Sequence, residues 1–573
     1  MTHGDWFNDA RFGCMIHFGL YSVLGGEWKG KRTEQIGEWI QSYFKIPCKE
    51  YEKLTSAFNP VCFDAEMWVH NALQAGMKYM VITAKHHDGF ALFHSKVDKF
   101  NVVDATPFGR DIIKELSAAC KKANMRFGLY YSQELDWREP DGGGYTADRL
   151  NCNCMSWTND WDFPDNSQKD YMRCFQGKTI PQVKELLTNY GDVSIIWFDA
   201  PHAISYEQSE MLYNLVKEYQ PDCLINTRIG NGFGDYVSMG DNQIPLKKST
   251  RFYESPATLN DTWGYKTFDD RWKSPESVID ILSSLASKGS NYLLNVGPDH
   301  LGRFPAKTME ILKEVGKWTN VAQRAIYGSK ESPFLSSPEK CSPVQDKNGA
   351  QCFVLNDAEE KSFCCNGIKT PIKEAYLCGY ENEKLSFKQT WSGDMSEIFV
   401  DVPVFKDSIY GRRRVLVLEG EESIEVSKGI YEQNGCVNLA AAEAKLSEGI
   451  EINELGAMCG FTEKGMRIRW SFSVVSGGKF KVFIELVDPQ CLDEWVSGNK
   501  IELKAGGKSY EKVLVADCQL PDVLKDYNSG AISIIDEIEI TNGGDNTLEI
   551  IAKDFNEESV YGNSICEVKL QRI

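Results

Sequence analysis

The sequence predicts an α/β protein: a parallel (β/α) barrel over residues 1–334, followed by β-sandwiches over 335–430 and 431–573. Three observations carry this. Short apolar runs alternate with helix-like segments from residue 14 to about 325. Beyond that, helical patterning fades and β-rich runs separated by glycine turns take over. All eight histidines lie at or before His300, so chemistry is expected in the first domain.

The candidate barrel strands are Cys14–Gly19, Lys78–Ala84, Arg126–Ser132, Val193–Asp199, Cys223–Arg228, Phe252–Ser255 and Tyr292–Val296. Their continuous apolar character suits strands buried on both faces. Asp64 is placed to cap a helix carrying Met67, Trp68 and Ala72, which Gly76 should stop. Val278, Ile281, Leu282 and Leu285 fall at helical spacing, with Gly289 just beyond. Strand and helix in alternation imply βα units. An open doubly wound sheet shares this local signature, and the barrel is favoured by the number of units. In the second half the runs Glu397–Val402, Arg413–Leu418, Met466–Val474, Lys479–Glu485, Lys500–Leu503 and Glu537–Thr541 read as sandwich strands. An acidic, irregular stretch from Glu419 to Gly435 separates two such domains.

A net charge of −19 argues against nucleic acid and anionic membrane surfaces as partners. No run of about 18 apolar residues predicts a membrane span. The N-terminus lacks the basic, apolar and small-residue series of a secretory signal, so a cytoplasmic protein is expected. The 18 cysteines follow no repeating spacing and are expected to be reduced and packed. Cys152-Asn153-Cys154 and Cys364-Cys365 lack the second half of a zinc site. Oligomeric state is left open.

The ends of parallel barrel strands form the active-site face, so polar residues there point to chemistry. The first strand delivers His17 and then Glu27-Trp28; the second ends in Lys85-His86-His87-Asp88. The third carries Tyr130-Tyr131, the fourth Trp197 and Asp199, the fifth Asn226 and Arg228, the sixth Glu254, and a later loop Trp263. Aromatic faces cover sugar C–H surfaces while polar side chains capture hydroxyls. Paired carboxylates suggest glycoside hydrolysis. The competing chemistry is a metal held by His86, His87 and a carboxylate. Consecutive residues of an extended strand point to opposite sides, so no metal or other cofactor is expected.

Several segments resemble the α-L-fucosidases of glycoside hydrolase family 29. They are Trp6-Phe7, Ile16–Val23, Gly26-Glu27-Trp28, Thr83–Phe90, Asn101–Asp104, Phe127–Ser132, Trp197-Phe198-Asp199 and Tyr292–Pro298. The resemblance spans roughly residues 5–330 and implies a retaining exo-α-L-fucosidase acting on fucosylated oligosaccharides or glycoconjugates. It implies an irregular (β/α)8 TIM-like barrel with accessory β-sandwiches. It makes Asp199 the nucleophile, and Glu254 the acid/base with Glu27 as alternative. His17, Glu27, Trp28, His86, His87, Arg228 and Trp263 become sugar-binding residues, and Tyr131 and Trp197 the wall for the C5 methyl group. Two other readings stand beside it: a barrel glycosidase of galactose-like specificity, and a non-catalytic glycan-binding protein. The loop Glu139–Asp170 is expected to border the leaving group through Trp157 and Trp161. The last domain resembles carbohydrate-binding jelly rolls, from which no function follows.

Overall fold

Eight strands make one sheet: β1 (Phe12–Ile16), β2 (Tyr79–Lys85), β3 (Arg126–Ser132), β4 (Ile195–Asp199), β5 (Leu224–Ile225), β6 (Val237–Ser238), β7 (Tyr253–Ala257) and β8 (Ser290–Val296). The structure is a computed structural model that describes residues 4–143, 158–405, 409–487, 495–520 and 530–573. The strand order is β5-β4-β3-β2-β1-β8-β7-β6, and the registered pairs are parallel. The two end strands meet through a parallel bridge between Asn226 and Tyr236, where the Ile225 carbonyl accepts the Asp235 N–H at 2.7 Å. The sheet thereby closes into a barrel. Six of the strands were expected within a few residues; β5 is shorter than expected, and β6 was not foreseen. β6 holds only Val237 and Ser238, which leaves no apolar run to read, whereas the equally short β5 lies in the run Cys223-Leu224-Ile225.

Helices α1 (Ala65–Gln74), α2 (Ile112–Lys122), α3 (Ile180–Asn189), α4 (Tyr206–Tyr219), α5 (Pro275–Ser287) and α6 (Ala306–Val321) surround these strands in the chain. No α-helix joins β5 to β6 or β6 to β7, so the (β/α) repeat is irregular there. Asp64 caps α1 by accepting the Met67 N–H at 3.0 Å, an interaction worth about 1 kcal/mol. Gly76 follows with φ 95°, a conformation that stops the helix without strain. Val278, Leu282 and Leu285 of α5 are fully buried.

Strand alternation sets what the barrel encloses. Met15, Tyr79, Val81, Tyr130, Ile195, Trp197 and Leu293 point inward and pack as one buried cluster. Period-two alternation carries the same face of each strand upward, from Met15 to His17, Tyr130 to Ser132, Trp197 to Asp199 and Leu293 to Asn295 at the downstream ends.

The chain divides into two compact units: Met1–Ser238 with Arg251–Val278 and Asn291–Thr319, and Met239–Thr250 with Ile279–Ser290 and Asn320–Ile573. The second unit contains two antiparallel sandwiches. In one, β9 (Cys341–Gln345), β10 (Gln351–Leu355), β12 (Ile372–Leu377) and β15 (Val415–Gly420) form a sheet. It pairs with a sheet of β11 (Ser362–Ile368), β13 (Phe387–Ser392) and β14 (Met395–Asp401) around Phe353, Phe363, Ile398 and Leu416. In the other, β16 (Cys436–Ala440), β19 (Gly478–Val487), β22 (Gly530–Ile540) and β24 (Ile565–Arg572) form one sheet. Its second sheet holds β17 (Lys445–Leu446), β18 (Arg467–Val474), β20 (Lys500–Ala505), β21 (Lys508–Val513) and β23 (Gly544–Asp554). Trp470, Phe472, Phe480 and Leu548 fill the space between them. The cysteines among the described residues are free thiols; Cys152 and Cys154 lie outside those residues.

Candidate active site

Asp199 ends β4 with its carboxylate at the barrel mouth. One oxygen accepts the Tyr130 hydroxyl at 2.7 Å, the other the Arg228 guanidinium at 3.1 Å, and His87 Nε2 stands 3.9 Å away. A helix cap would be the ordinary use of such an aspartate. Here α4 has its own cap, Ser205, in a reciprocal capping box with Gln208, which leaves Asp199 to the mouth. Ala200, directly after it, is held at φ 60°, strained for a residue with a Cβ. Glu134 pins the loop that follows by accepting the N–H groups of Ala203 and Ile204 at 2.6 and 2.9 Å. Burial alone would raise the Asp199 carboxyl, but the Arg228 guanidinium and the Tyr130 hydroxyl outweigh it and hold the group below its ordinary value. It is ionised at neutral pH.

Three buried imidazoles stand beside it. Burial pushes His17 down to about 4 and His87 to about 3, with His86 also well below its ordinary value, so all three are neutral. Ser132 donates its hydroxyl to the Leu135 carbonyl and so accepts from His87 Nδ1 at 2.7 Å. Asn295, whose amide nitrogen donates to the Trp263 carbonyl, likewise accepts from His17 Nδ1 at 2.7 Å. Each ring therefore keeps Nε2 as a bare acceptor, suited to a sugar hydroxyl. The His86 ring lies 4.0 Å from His87 and 5.6 Å from Tyr130, and the Trp263 ring 5.2 Å from His17.

His17, His86, His87, Asp199, Arg228 and Trp263 thus come together at the mouth, while the five other expected residues, Tyr131, Glu27, Trp28, Trp197 and Glu254, take other positions. Tyr131 points away from the barrel interior: its hydroxyl donates to Gln182 of α3, and Lys85 lies over its ring. The neighbour on the opposite face, Tyr130, takes the place at the mouth. Glu27 and Trp28 sit on a small hairpin where Glu27 is exposed and pairs with Arg32 at 2.7 Å. A second Gly-Glu-Trp, Gly37-Glu38-Trp39, is buried instead. Glu38 accepts the Gly264 N–H at 2.7 Å and the Thr262 hydroxyl at 3.3 Å, and the Trp39 ring stands 5.1 Å from His87. Repetition of the tripeptide was the available signal, and it offered no means of choosing between the copies. Trp197 forms a floor rather than a wall. Its ring stacks on Tyr130 at 5.4 Å and lies under Arg228, leaving it 2% exposed.

Glu254 is the largest displacement from expectation. β7 runs Tyr253–Ala257, so Glu254 stands at its start, three residues or about 10 Å below the strand's downstream end. It is fully buried, with one oxygen accepting the Tyr79 hydroxyl at 2.7 Å and the other the Trp197 N–H at 2.9 Å. Burial pushes its carboxyl up from 4.5 to about 7. A carboxyl raised in the folded state stabilises the fold below its unfolded value and loses that contribution as pH climbs through the folded one. Between about pH 4.5 and 7 the protein should therefore lose stability, on the order of 3 kcal/mol, that a Glu254→Gln variant does not lose. Thermal midpoints of both proteins at pH 5 and pH 8 check this; parallel slopes would contradict it.

Of the expected leaving-group loop, Trp157 lies outside the described residues. Trp161 packs 6.2 Å from Trp137, whose ring in turn meets Trp39 and His87.

A closed parallel barrel with an ionised carboxylate, neutral imidazoles, an arginine and aromatics at its strand ends defines a glycoside-hydrolase type of protein. Residues 2–324 match the family model described as alpha-L-fucosidase, and the chain belongs to that family, glycoside hydrolase family 29. It is 29% identical to an alpha-L-fucosidase of Dictyostelium discoideum over 56% of this chain and 71% of that one. It is 30% identical to the tissue alpha-L-fucosidase of Mus musculus over 59% and 73%. The alpha-L-fucosidase of Vibrio sp. strain EJY3 superposes with TM-score 0.86 at 28% identity, covering 99% of this chain and 97% of that one. A point variant of the alpha-L-fucosidase AlfC from Lactobacillus casei, solved in complex with Fuca(1,6)GlcNAc, is 50% identical with TM-score 0.54 over 56% of this chain and 99% of its own.

Proposed function

We propose that the protein is a retaining exo-α-L-fucosidase that removes terminal α-L-fucose from glycans. The observation that carries this reading is the ionised Asp199 carboxylate, set between Arg228, Tyr130 and His87 at the end of β4. In the first step Asp199 attacks the anomeric carbon. An ester to fucose forms as the glycosidic bond breaks, and an acid/base carboxyl protonates the leaving oxygen. In the second step the same group, now a carboxylate, takes a proton from water, which releases fucose with its original configuration. Arg228 and the Tyr130 hydroxyl hold the carboxylate in one orientation. His17 and His87 accept sugar hydroxyls through Nε2, while Trp39 and Trp263 supply apolar faces.

Glu254 is a positioning residue in this scheme, holding the Trp197 floor beneath the nucleophile. The acid/base must meet both solvent and the glycosidic oxygen, which a fully enclosed carboxyl does not. Exposed or half-exposed carboxylates close behind the later strands are Asp241, three residues past β6, and Asp261, four past β7. These two form the set for an alanine scan with azide rescue, with Glu27, exposed on its hairpin beside Arg32, as the control.

The reading is tested by following hydrolysis of an aryl α-L-fucoside by proton NMR. The α-anomer of fucose should appear first and mutarotate later, and first appearance of the β-anomer would overturn retention. An aryl β-D-galactoside should be cleaved at least about 100-fold more slowly, the discrimination a fitted site achieves for a small substituent change. Equal rates would make the galactose-like reading the better one.

A further inference from the structure

A cavity of about 580 Å³ opens on the last sandwich, in the size range of small-ligand sites. Its floor is made by cross-strand pairs of β18 and β23: Ser473 faces Asp545, and Ser471 faces Thr547. These side chains take the outward half of the strand alternation, while Phe472 and Leu548 go to the core. The Ser473 hydroxyl donates to Asp545 at 2.5 Å, which orients the carboxylate along the floor. One wall is the segment Gly429–Tyr431, which runs parallel to β18 through a bridge between Tyr431 and Ser473. The opposite wall is the Gly506-Gly507 turn between β20 and β21, where a Cβ on Gly507 would meet nothing within 4 Å.

The Tyr431 ring is fixed rather than loose. Its hydroxyl lies 2.8 Å from the Ser427 hydroxyl, and the ring passes where a Cβ on Gly429 would fall 2.5 Å from the phenolic oxygen. Only glycine at 429 leaves that space. The segment is held at both sides of the tyrosine, by the Ser473 N–H donating to the Ile430 carbonyl and the Glu432 N–H donating to the Ser473 carbonyl, each at 2.9 Å.

The chemistry of this lining selects its occupant by exclusion and by match. Of twelve lining residues only Asp545 is charged and none is basic, so phosphate, sulfate and nucleic acid find no counter-charge. The floor presents hydroxyls and a carboxylate, which an apolar ligand would leave unpaired at a cost of about 1–3 kcal/mol per buried group. A neutral polyol satisfies them. Its vicinal hydroxyls can donate to Asp545 and exchange bonds with Ser471 and Thr547, while the C–H face of a pyranose lies against an aromatic ring. We infer that this cavity is a second, non-catalytic saccharide site. It takes a neutral mono- or disaccharide and is built independently of Asp199.

The inference does not rest on the assignment of the nucleophile, and its test keeps the two apart. The full-length protein is titrated with D-galactose, N-acetyl-D-glucosamine and N-acetyllactosamine, read by calorimetry and by saturation-transfer NMR. At least one should bind saturably with an affinity near millimolar. Ser471→Trp fills the cavity from an exposed strand position where an aromatic is well tolerated. Asp545→Asn removes the charge at constant shape. Both should weaken binding at least tenfold while kcat/KM on an aryl α-L-fucoside stays unchanged. Absence of saturation transfer from all three sugars at about 10 mM would overturn the inference. Binding that survives both substitutions in correctly folded protein would overturn it too.

Discussion

Replacing Asp199 by glycine should lower turnover of an aryl α-L-fucoside by at least about 10⁴-fold, or roughly 5.5 kcal/mol of barrier. The carboxylate is the group proposed to form the bond to carbon, and no neighbour can substitute for it. Tyr130 is a hydroxyl kept protonated by burial, and the imidazoles on either side are committed through Nδ1 to Ser132 and Asn295. Glycine leaves a hole the size of an azide ion beside Arg228, which should help to hold the anion. Added azide should therefore restore a measurable rate and yield fucosyl azide of inverted configuration, since only one displacement then occurs. The Arg228 cation loses its ion pair with Asp199 in this variant, so a melting curve must accompany the kinetics. Because Arg228 keeps 19% of its side chain exposed, water can take over part of the solvation and the barrel should persist. A well-folded variant with unaltered turnover would remove Asp199 from the mechanism.

How far the site could be read before the fold was known depends on which physical signal each residue left. The long strands were legible because both faces are buried, giving apolar runs from Tyr79 to Ala84, broken only by Thr83, and from Ile195 to Phe198. Asp199 and the histidine pair were legible because they terminate such runs. The strand β6 was not, since Val237-Ser238 stands in no apolar run of the kind that marks the equally short β5. The side of each strand was readable in principle. Period-two alternation from Asp199 through Trp197 fixes the inward face of β4, and the same rule applied to β3 from Ser132 selects Tyr130 over Tyr131. Depth was harder. An error of two residues at the end of β7 moved Glu254 from the barrel's interior to its mouth, and nothing local in Tyr253–Ala257 marks where the strand stops. Glu38 left a motif but not a location, because its burial depends on contacts with Thr262 and Gly264 more than 220 residues away.

That last residue yields the sharpest contrast between two copies of one motif. Glu38→Gln should reduce kcat/KM by about 10²-fold, the scale on which an ångström of misplacement acts, whereas Glu27→Gln should change it by less than about twofold. Glu38 is 1% exposed, and its carboxylate takes both the Gly264 N–H and the Thr262 hydroxyl. Those bonds fix the loop whose Trp263 ring faces His17 and whose carbonyl orients Asn295, the partner of His17 Nδ1. An amide in its place keeps the volume but weakens the charge-assisted bonds and adds donors to a site already crowded with them. The disturbance should therefore pass to His17 and reach the bound sugar, appearing in KM and kcat together. Glu27 lies in solvent beside Arg32, where an ion pair contributes at most about 1 kcal/mol and touches none of these groups. Steady-state kinetics of both variants, with melting curves to show intact folds, decide the matter. A large loss in Glu27→Gln with Glu38→Gln near wild type would return the binding role to the exposed hairpin.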